Sequence, residues 1–450
     1  MPAGPPPRSR GGMIALLCVA QFVVVLDATI VAIALPAIQR TLHVATADLQ
    51  WIVSAYTLAF AGFLVLAGRL ADVHGRRRVF MAGLALFAGA SLACGLSRSL
   101  GVLVAARALQ GLGAAAVAPA ALAAITAAVP DGAERRRALG VWTAAAAGGG
   151  ASGWLLGGVI TEKAGWPWVF LVNVPIGAAA VALAPLLVPE TRAREEGRRL
   201  DVAGAATLTT GLALVVLGLT RAQIAGVRSP LAAGGVAVGA LLLALFARIE
   251  ARAADPLLPA SLLRADGLAG ANLAAAALTA STTPPLLLCV LALQGAQGRS
   301  ALETGALFAP FNVAVISGSL LGPRVVRALG TRTAMALGLG GIAAGVLGML
   351  ASGGARAAPA ALVPAFVLMG VSLGCASVAS TTAGTAAAGR AREGVASALL
   401  NTAAQVGTAL GVAVLLSVAA AAGSPAAFAG AIAVALAGAA VALRAPQLSS

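Results

Sequence analysis

A lone carboxylate, Asp27, sits in the middle of an apolar stretch from Met13 to Ile38, and Arg107 sits inside another that begins at Gly101. A charge near a bilayer centre costs about 2.5–3.5 kcal/mol even on lenient insertion scales, and such residues usually face a cavity and move ions, protons or substrate. At 1.5 Å per helical residue, Asp27 lies ~21 Å from the Met13 end of its span and ~9 Å from the far end of a ~30 Å core. Arg107 enters from the opposite side and also lies ~9 Å below that far surface. Two opposite charges at matched depth can face one cavity. Arg107 favours the ionised carboxylate and desolvation opposes it, so protonation can decide which conformer is stable. The blander alternatives are a polar residue bonded to a neighbouring helix for Asp27, and a packing bond to backbone carbonyls for Arg107.

The elements that must position these charges are membrane spans. Sixty per cent of the 450 residues are hydrophobic, only 10% are charged, and mean hydropathy is +0.96, the composition of an integral membrane protein. The net charge of +15 comes from arginines clustered between apolar runs, which argues against nucleic acid as a partner. A span needs about 20 residues. That ruler predicts an all-α protein of fourteen spans near 13–38, 50–71, 79–97, 101–129, 138–161, 167–189, 202–220, 230–247, 267–293, 303–323, 333–352, 358–388, 394–422 and 425–443. With the N-terminus inside, 22 of the 30 basic residues fall on the cytoplasmic side and seven on the other, with Arg107 within span four. That asymmetry favours an even count with both termini cytoplasmic. Twelve spans is the alternative, with the seventh and eighth forming a re-entrant or peripheral element.

A repeat supports two halves. Gly68-Arg69-Leu70-Ala71-Asp72 running to Gly75-Arg76-Arg77-Arg78 follows span two, and Gly322-Pro323-Arg324 running to Gly330-Thr331-Arg332 follows span ten. The predicted organisation is a cytoplasmic tail (1–12), a six-helix bundle (13–189), a charged linker with two extra spans and the following loop (190–266), a second six-helix bundle (267–443) and a C-terminal tail (444–450). Repeated halves are how many transporters build a midplane site.

The Gly68–Arg78 loop resembles the signature between spans two and three of the major facilitator superfamily, and Leu103 to Gly113, with Arg107, Gln110 and Gly111, resembles its fourth-span signature. Leu26-Asp27-Ala28-Thr29 through Pro36 resembles the first span of the fourteen-span drug:proton antiporter branch. Asn401, Gln405, Gly407 and Gly411 are similar to a late-span pattern of that branch. Gly149, Gly153, Gly157 and Gly158 match the glycines of the antiporter motif, but Trp154 stands where that family places proline, and Pro167 stands where an arginine is common.

The resemblance implies a cell-membrane exporter of small amphipathic molecules, a multidrug or antibiotic efflux carrier driven by the proton gradient, in a bacterial inner membrane. It implies Asp27 and Arg107 as the coupling pair, and a cytoplasmic gate in which Gly68 and Gly75 permit a tight turn while Asp72 and Arg76 pair across the two halves. A monomer is its default. The glycines at 149, 153 and 157 form a small-residue face for a close helix neighbour, and that face could slide during the transport cycle. Gln110, Asn401 and Gln405 are candidate cavity donors or, equally, helix glue. A single deep acid suggests one proton per cycle. Cys18, Cys94, Cys289 and Cys375 lie in apolar runs without metal spacing and read as packing residues; no metal or cofactor is expected. Gly370-Val371-Ser372-Leu373-Gly374 has the shape of a nucleophile elbow but lies within a span, and no GxxxxGK[ST] occurs, so neither an enzyme nor direct ATP drive is expected. A transporter of polar metabolites and a non-transporting sensor are the alternative functions.

Overall fold

The computed structural model describes residues 7–45, 48–129, 133–191, 202–225, 229–252, 267–354, 357–388 and 393–444, and among them the regular structure is helical. The N-terminal part runs α1 (Pro7–Leu42), α2 (Gln50–His74), α3 (Arg76–Gly95), α4 (Leu100–Ala128), α5 (Ala133–Lys163), the single turn α6 (Trp168–Leu171) and α7 (Asn173–Leu187). A hairpin follows, α8 (Val202–Ala225) and α9 (Pro230–Arg252). The rest is α10 (Leu268–Leu291) ending in a π turn, α11 (Ala301–Leu307), α12 (Ala309–Ala351), α13 (Pro359–Ala388), α14 (Glu393–Ala422) and α15 (Ser424–Arg444). Helices suit this sequence because a span without water must satisfy every backbone group internally.

Each segment expected to span carries a helix, but the breaks are informative. The expected span at 167–189 is met by α6 and α7 together, joined through Val172, whose φ of −60° and ψ of −27° stay helical. The tenth expected span begins in α11 and runs on into α12, which also carries the eleventh beyond Gly330, whose φ of 76° and ψ of 162° turn the chain. Among the described residues, ten helices are long and apolar enough to cross a membrane, or eleven if the bent halves of α2 form one span.

Buried apolar side chains gather in distinct clusters. One runs from Met13 to Val188 and draws on α1 to α5 and α7. Another runs from Ala271 to Ala442 and takes in only Ile33 and Trp154 from the N-terminal part. The α8–α9 hairpin packs against α2 and α14, with its two helices in near backbone contact: a Cβ on Gly218 would stand 2.6 Å from the Val236 nitrogen. Ser372, the centre of the elbow-like string, is an interior residue of α13 with 8% exposure, packed beside Gly341.

Candidate functional site

Helices α1, α2, α3, α4 and α7 converge on Asp27. Its Oδ2 lies 2.5 Å from Arg107 Nη1, while Oδ1 accepts from Gln110 Nε2 and Asn173 Nδ2, both at 2.7 Å. The carboxylate therefore receives three donors from α4 and α7. Arg107 is held from all sides. Its Nε donates to the Ile52 carbonyl at 3.0 Å, Nη1 also donates to Gln110 Oε1 at 2.8 Å, and its guanidinium carbon lies 4.2 Å from the centre of the Tyr56 ring. Tyr56 is fixed in turn by its hydroxyl, which donates to the Val24 carbonyl, and Phe170 supplies a second ring face 5.7 Å from the guanidinium carbon. Gln110 Nε2 also donates to Ser91 Oγ, which donates to the Phe87 carbonyl.

The two charges expected at matched depth do meet, but they do not face an open cavity: Asp27 is 0% and Arg107 1% exposed. The physical reason is crowding. Gly111 brings α4 against the Tyr56 carbonyl, so α2 and α4 close over the pair. Gln110, open in the sequence between cavity donor and helix glue, belongs to this buried network. Asn173 reads in the sequence as one polar residue inside a span, and only the approach of α7 to α1 sets it apart. Tyr56 is the single tyrosine of the sequence.

The glycines at 149, 153 and 157 form the contact with α1. A Cβ on Gly149 would meet the Phe22 carbonyl, one on Gly153 the Thr29 side chain, and one on Gly157 the Ile30 carbonyl at 2.8 Å. Gly158 faces the other way, toward the Ala301 carbonyl at 2.6 Å. Trp154, Gly158 and Glu162 are spaced by one helical turn each and share that second face. Trp154 stacks on Phe308 with centroids 4.5 Å apart, Phe308 stacks on Phe366 at 4.8 Å, and Glu162 Oε2 accepts from the Leu302 amide at 2.9 Å. Hydrogen bonds from the Ser300 side chain and the Leu302 amide hold the Glu162 carboxyl below the usual glutamate range. The residue that replaces the motif proline thus builds an aromatic contact between α5 and the C-terminal part of the chain.

The turn expected to form a cytoplasmic gate joins α2 to α3. Asp72 and Arg76 are i,i+4 neighbours that bond each other at 3.2 Å rather than reaching across halves. The turn is tied to Glu190, which accepts from the Arg77 amide at 3.2 Å and pairs with Arg77 and Arg78. Gly75 has φ +105°, and a Cβ there would press into the Glu190 carboxylate; Gly68 has ordinary space, with Pro119 Cβ at 3.7 Å.

Asn401 lines a cavity between α10, α13 and α14 together with Thr279, Ser377, Ser380 and Thr381. Gln405, one turn further, is half-buried and is not part of that lining. Among the described residues, no group of three or more His, Cys, Asp or Glu side chains is placed to hold a metal ion.

Comparison with known proteins agrees with this architecture. The Cephamycin export protein CmcT of Amycolatopsis lactamdurans is 41% identical over 95% of this chain and 89% of its own length. The Puromycin resistance protein pur8 of Streptomyces alboniger is 38% identical over 93% and 83%. A crystal structure of a peptide transporter POT in complex with sulfate superposes with a TM-score of 0.72 at 16% identity, covering 96% of this chain and 93% of that one, a likeness of fold. The family profile described as Major Facilitator Superfamily matches residues 17–412. With that match spanning the buried charge network, the Gly68–Arg78 turn and the cavity at Asn401 alike, the chain belongs to the Major Facilitator Superfamily and is a multi-pass membrane protein.

Proposed function

We propose that this protein is a secondary active transporter that exports small amphipathic, antibiotic-like compounds in exchange for protons. The single observation that carries the export reading is the 41% identity, over nearly the whole chain, to a protein named for cephamycin export. The predominance of alanine, leucine and valine in the spans favours amphipathic cargo over polar metabolites. The chain is read as fourteen spans in a bacterial inner membrane, with both termini cytoplasmic. Two six-helix bundles (13–189 and 267–443) flank the α8–α9 pair; the cluster from Met13 to Val188, drawn from the N-terminal part alone, supports that division, while a further cluster joins Leu26 and Ile30 to Leu287 and Val412 across it.

In this reading Asp27 is the proton carrier and Arg107 its counter-charge. Proton uptake would neutralise the carboxylate and release Arg107 from its 2.5 Å contact, changing which arrangement of α1, α4 and α7 is most stable. Asn173 is a positioning residue in the same step: its Nδ2 serves the carboxylate, while its buried Oδ1 has no partner and is available to a protonated acid. The Gly68, Asp72, Gly75 and Arg76 turn acts as the cytoplasmic gate, anchored on Glu190. Gly149, Gly153 and Gly157 give the close α1–α5 contact along which the N-terminal bundle adjusts. The protein acts as a monomer, with lipid, protons and cargo as its partners and no resident cofactor.

The test is efflux of lipophilic dyes and antibiotics from proteoliposomes under an imposed pH gradient. Wild-type protein should drive efflux and Asp27→Asn should lose the gradient dependence. Equal flux in both proteins would remove the proton from Asp27.

A further inference from the structure

We propose that the cavity between α10, α13 and α14 is the subsite for the polar end of the cargo, and that it takes an uncharged hydroxyl or amide group acting mainly as a hydrogen-bond donor. The identity of the ligand as cargo rests on the export reading; the binding chemistry does not. The cavity holds roughly 170 Å³ and is lined by Thr279, Ser377, Ser380, Thr381 and Asn401, with Leu400 among its apolar walls. It lies apart from the Asp27 network, on helices of the C-terminal part.

The directions of the hydroxyl protons set its preference. A hydroxyl has one proton to give and two lone pairs to offer. Thr279 gives its proton across the interface between α10 and α14, to the Ala404 carbonyl at 2.6 Å, and Ser380 gives its own to the Ser377 carbonyl at 3.1 Å. Both oxygens are then left to a ligand as acceptors. The side chains of Ser377 and Thr381 make no hydrogen bond to protein among the described residues, so each can accept or donate. No charged side chain is part of the lining. An ammonium entering it would lose its hydration with no carboxylate to compensate, and a carboxylate would face the lone pairs of Thr279 and Ser380. A neutral O–H or N–H group meets neither penalty.

Size narrows the assignment to one arm of the cargo. Pockets that enclose a drug-sized molecule run to about 300–1,000 Å³, so this one seats a substituent while the apolar body lies outside it. Asn401 is exposed at its edge, and the next residue, Thr402, reaches the Ala61 carbonyl of α2 at 3.5 Å. The arm would therefore enter beside the contact between the two parts of the chain.

The experiment measures binding to the full-length protein in detergent by fluorescence anisotropy, using two lipophilic dyes of one scaffold. One ends in a primary alcohol and the other in its methyl ether. Wild-type protein should bind the alcohol about three- to tenfold more tightly, the range expected for one net hydrogen bond. A Ser377→Ala/Ser380→Ala variant that elutes as a monodisperse peak should bind the alcohol more weakly and reduce the alcohol preference at least twofold. Equal binding of the two dyes by wild type, absence of alcohol binding, or an unchanged preference in the variant would overturn the proposal, and the wild-type comparison decides even if the variant does not fold. Binding with the expected preference but without pH-driven efflux would leave this subsite standing and defeat the exporter reading instead.

Discussion

The buried pair makes a quantitative prediction through a double-mutant cycle on Arg107 and Asp27. Removing one member of a buried ion pair strands the other and costs about 3–5 kcal/mol, whereas replacing both by apolar residues is far milder. The surroundings rank the single variants. After Asp27→Leu, Arg107 keeps the Ile52 carbonyl, Gln110 Oε1 and the Tyr56 ring, which places that variant near the low end, about 3 kcal/mol. After Arg107→Met, Asp27 keeps two amide donors but faces no positive charge, which places it near about 5 kcal/mol. The double variant strands no charge. Gln110 retains Ser91, and the main loss is the Asn173 donor, about 1–3 kcal/mol for one buried polar group. The cycle should therefore show a coupling of about 5–7 kcal/mol. SDS titration of the purified protein, followed by tryptophan fluorescence and repeated at fixed pH, measures each corner. A double variant as unstable as the sum of the two singles would refute the claim that the charges depend on one another.

Two further predictions separate residues that the sequence could not. Gly75→Ala puts a side chain at φ +105° against Glu190 and should cost about 1–3 kcal/mol. Gly68→Ala, in ordinary contact with Pro119, should be near neutral; the same denaturation assay checks both. Glu162 is held below the ordinary glutamate range by its bonds from Ser300 and Leu302, so its contact with α11 is fully present above that range and is lost as pH falls through the lowered value. Spin labels at Ala164 and Ala296 should report a broader distance distribution in acid for wild type, and a pH-independent distribution for Glu162→Gln.

Element existence was legible in the sequence because apolar length is a physical requirement of a membrane span, and the arginine clusters mark where spans end. What joins the elements was less legible. Arg107 and Asp27 could be matched in depth by helical rise alone, since both lie in long uninterrupted helices. Their enclosure could not, because it depends on which side of α4 carries Gly111 and how close α2 comes. Glu190 illustrates the same limit: by composition it opens a charged linker, yet its carboxylate returns over a hundred positions to the Arg77 amide. Trp154 read as a defect in a motif, since a departure from proline says what is lost, and only the Phe308 contact says what is gained.

The hydrogen-bond inventory around Asp27 also constrains how a proton could be held there. Arg107, Gln110 and Asn173 all donate to the carboxylate, so a protonated acid, itself a donor, needs an acceptor that the ionised state does not use. Gln110 Oε1 already receives Arg107 and the Cys94 thiol, the Ile52 carbonyl receives Arg107, and Ser91 Oγ receives Gln110. The Asn173 amide oxygen is buried and has no partner. Turning that amide over would withdraw one donor and supply one acceptor, the two changes that protonation demands. In infrared difference spectra at acid pH, the neutral Asp27 carbonyl stretch should lie in the hydrogen-bonded range for wild type and move to higher frequency in Asn173→Ala. A band that does not move would exclude Asn173 as the acceptor and require a water or a larger rearrangement of α4 in its place.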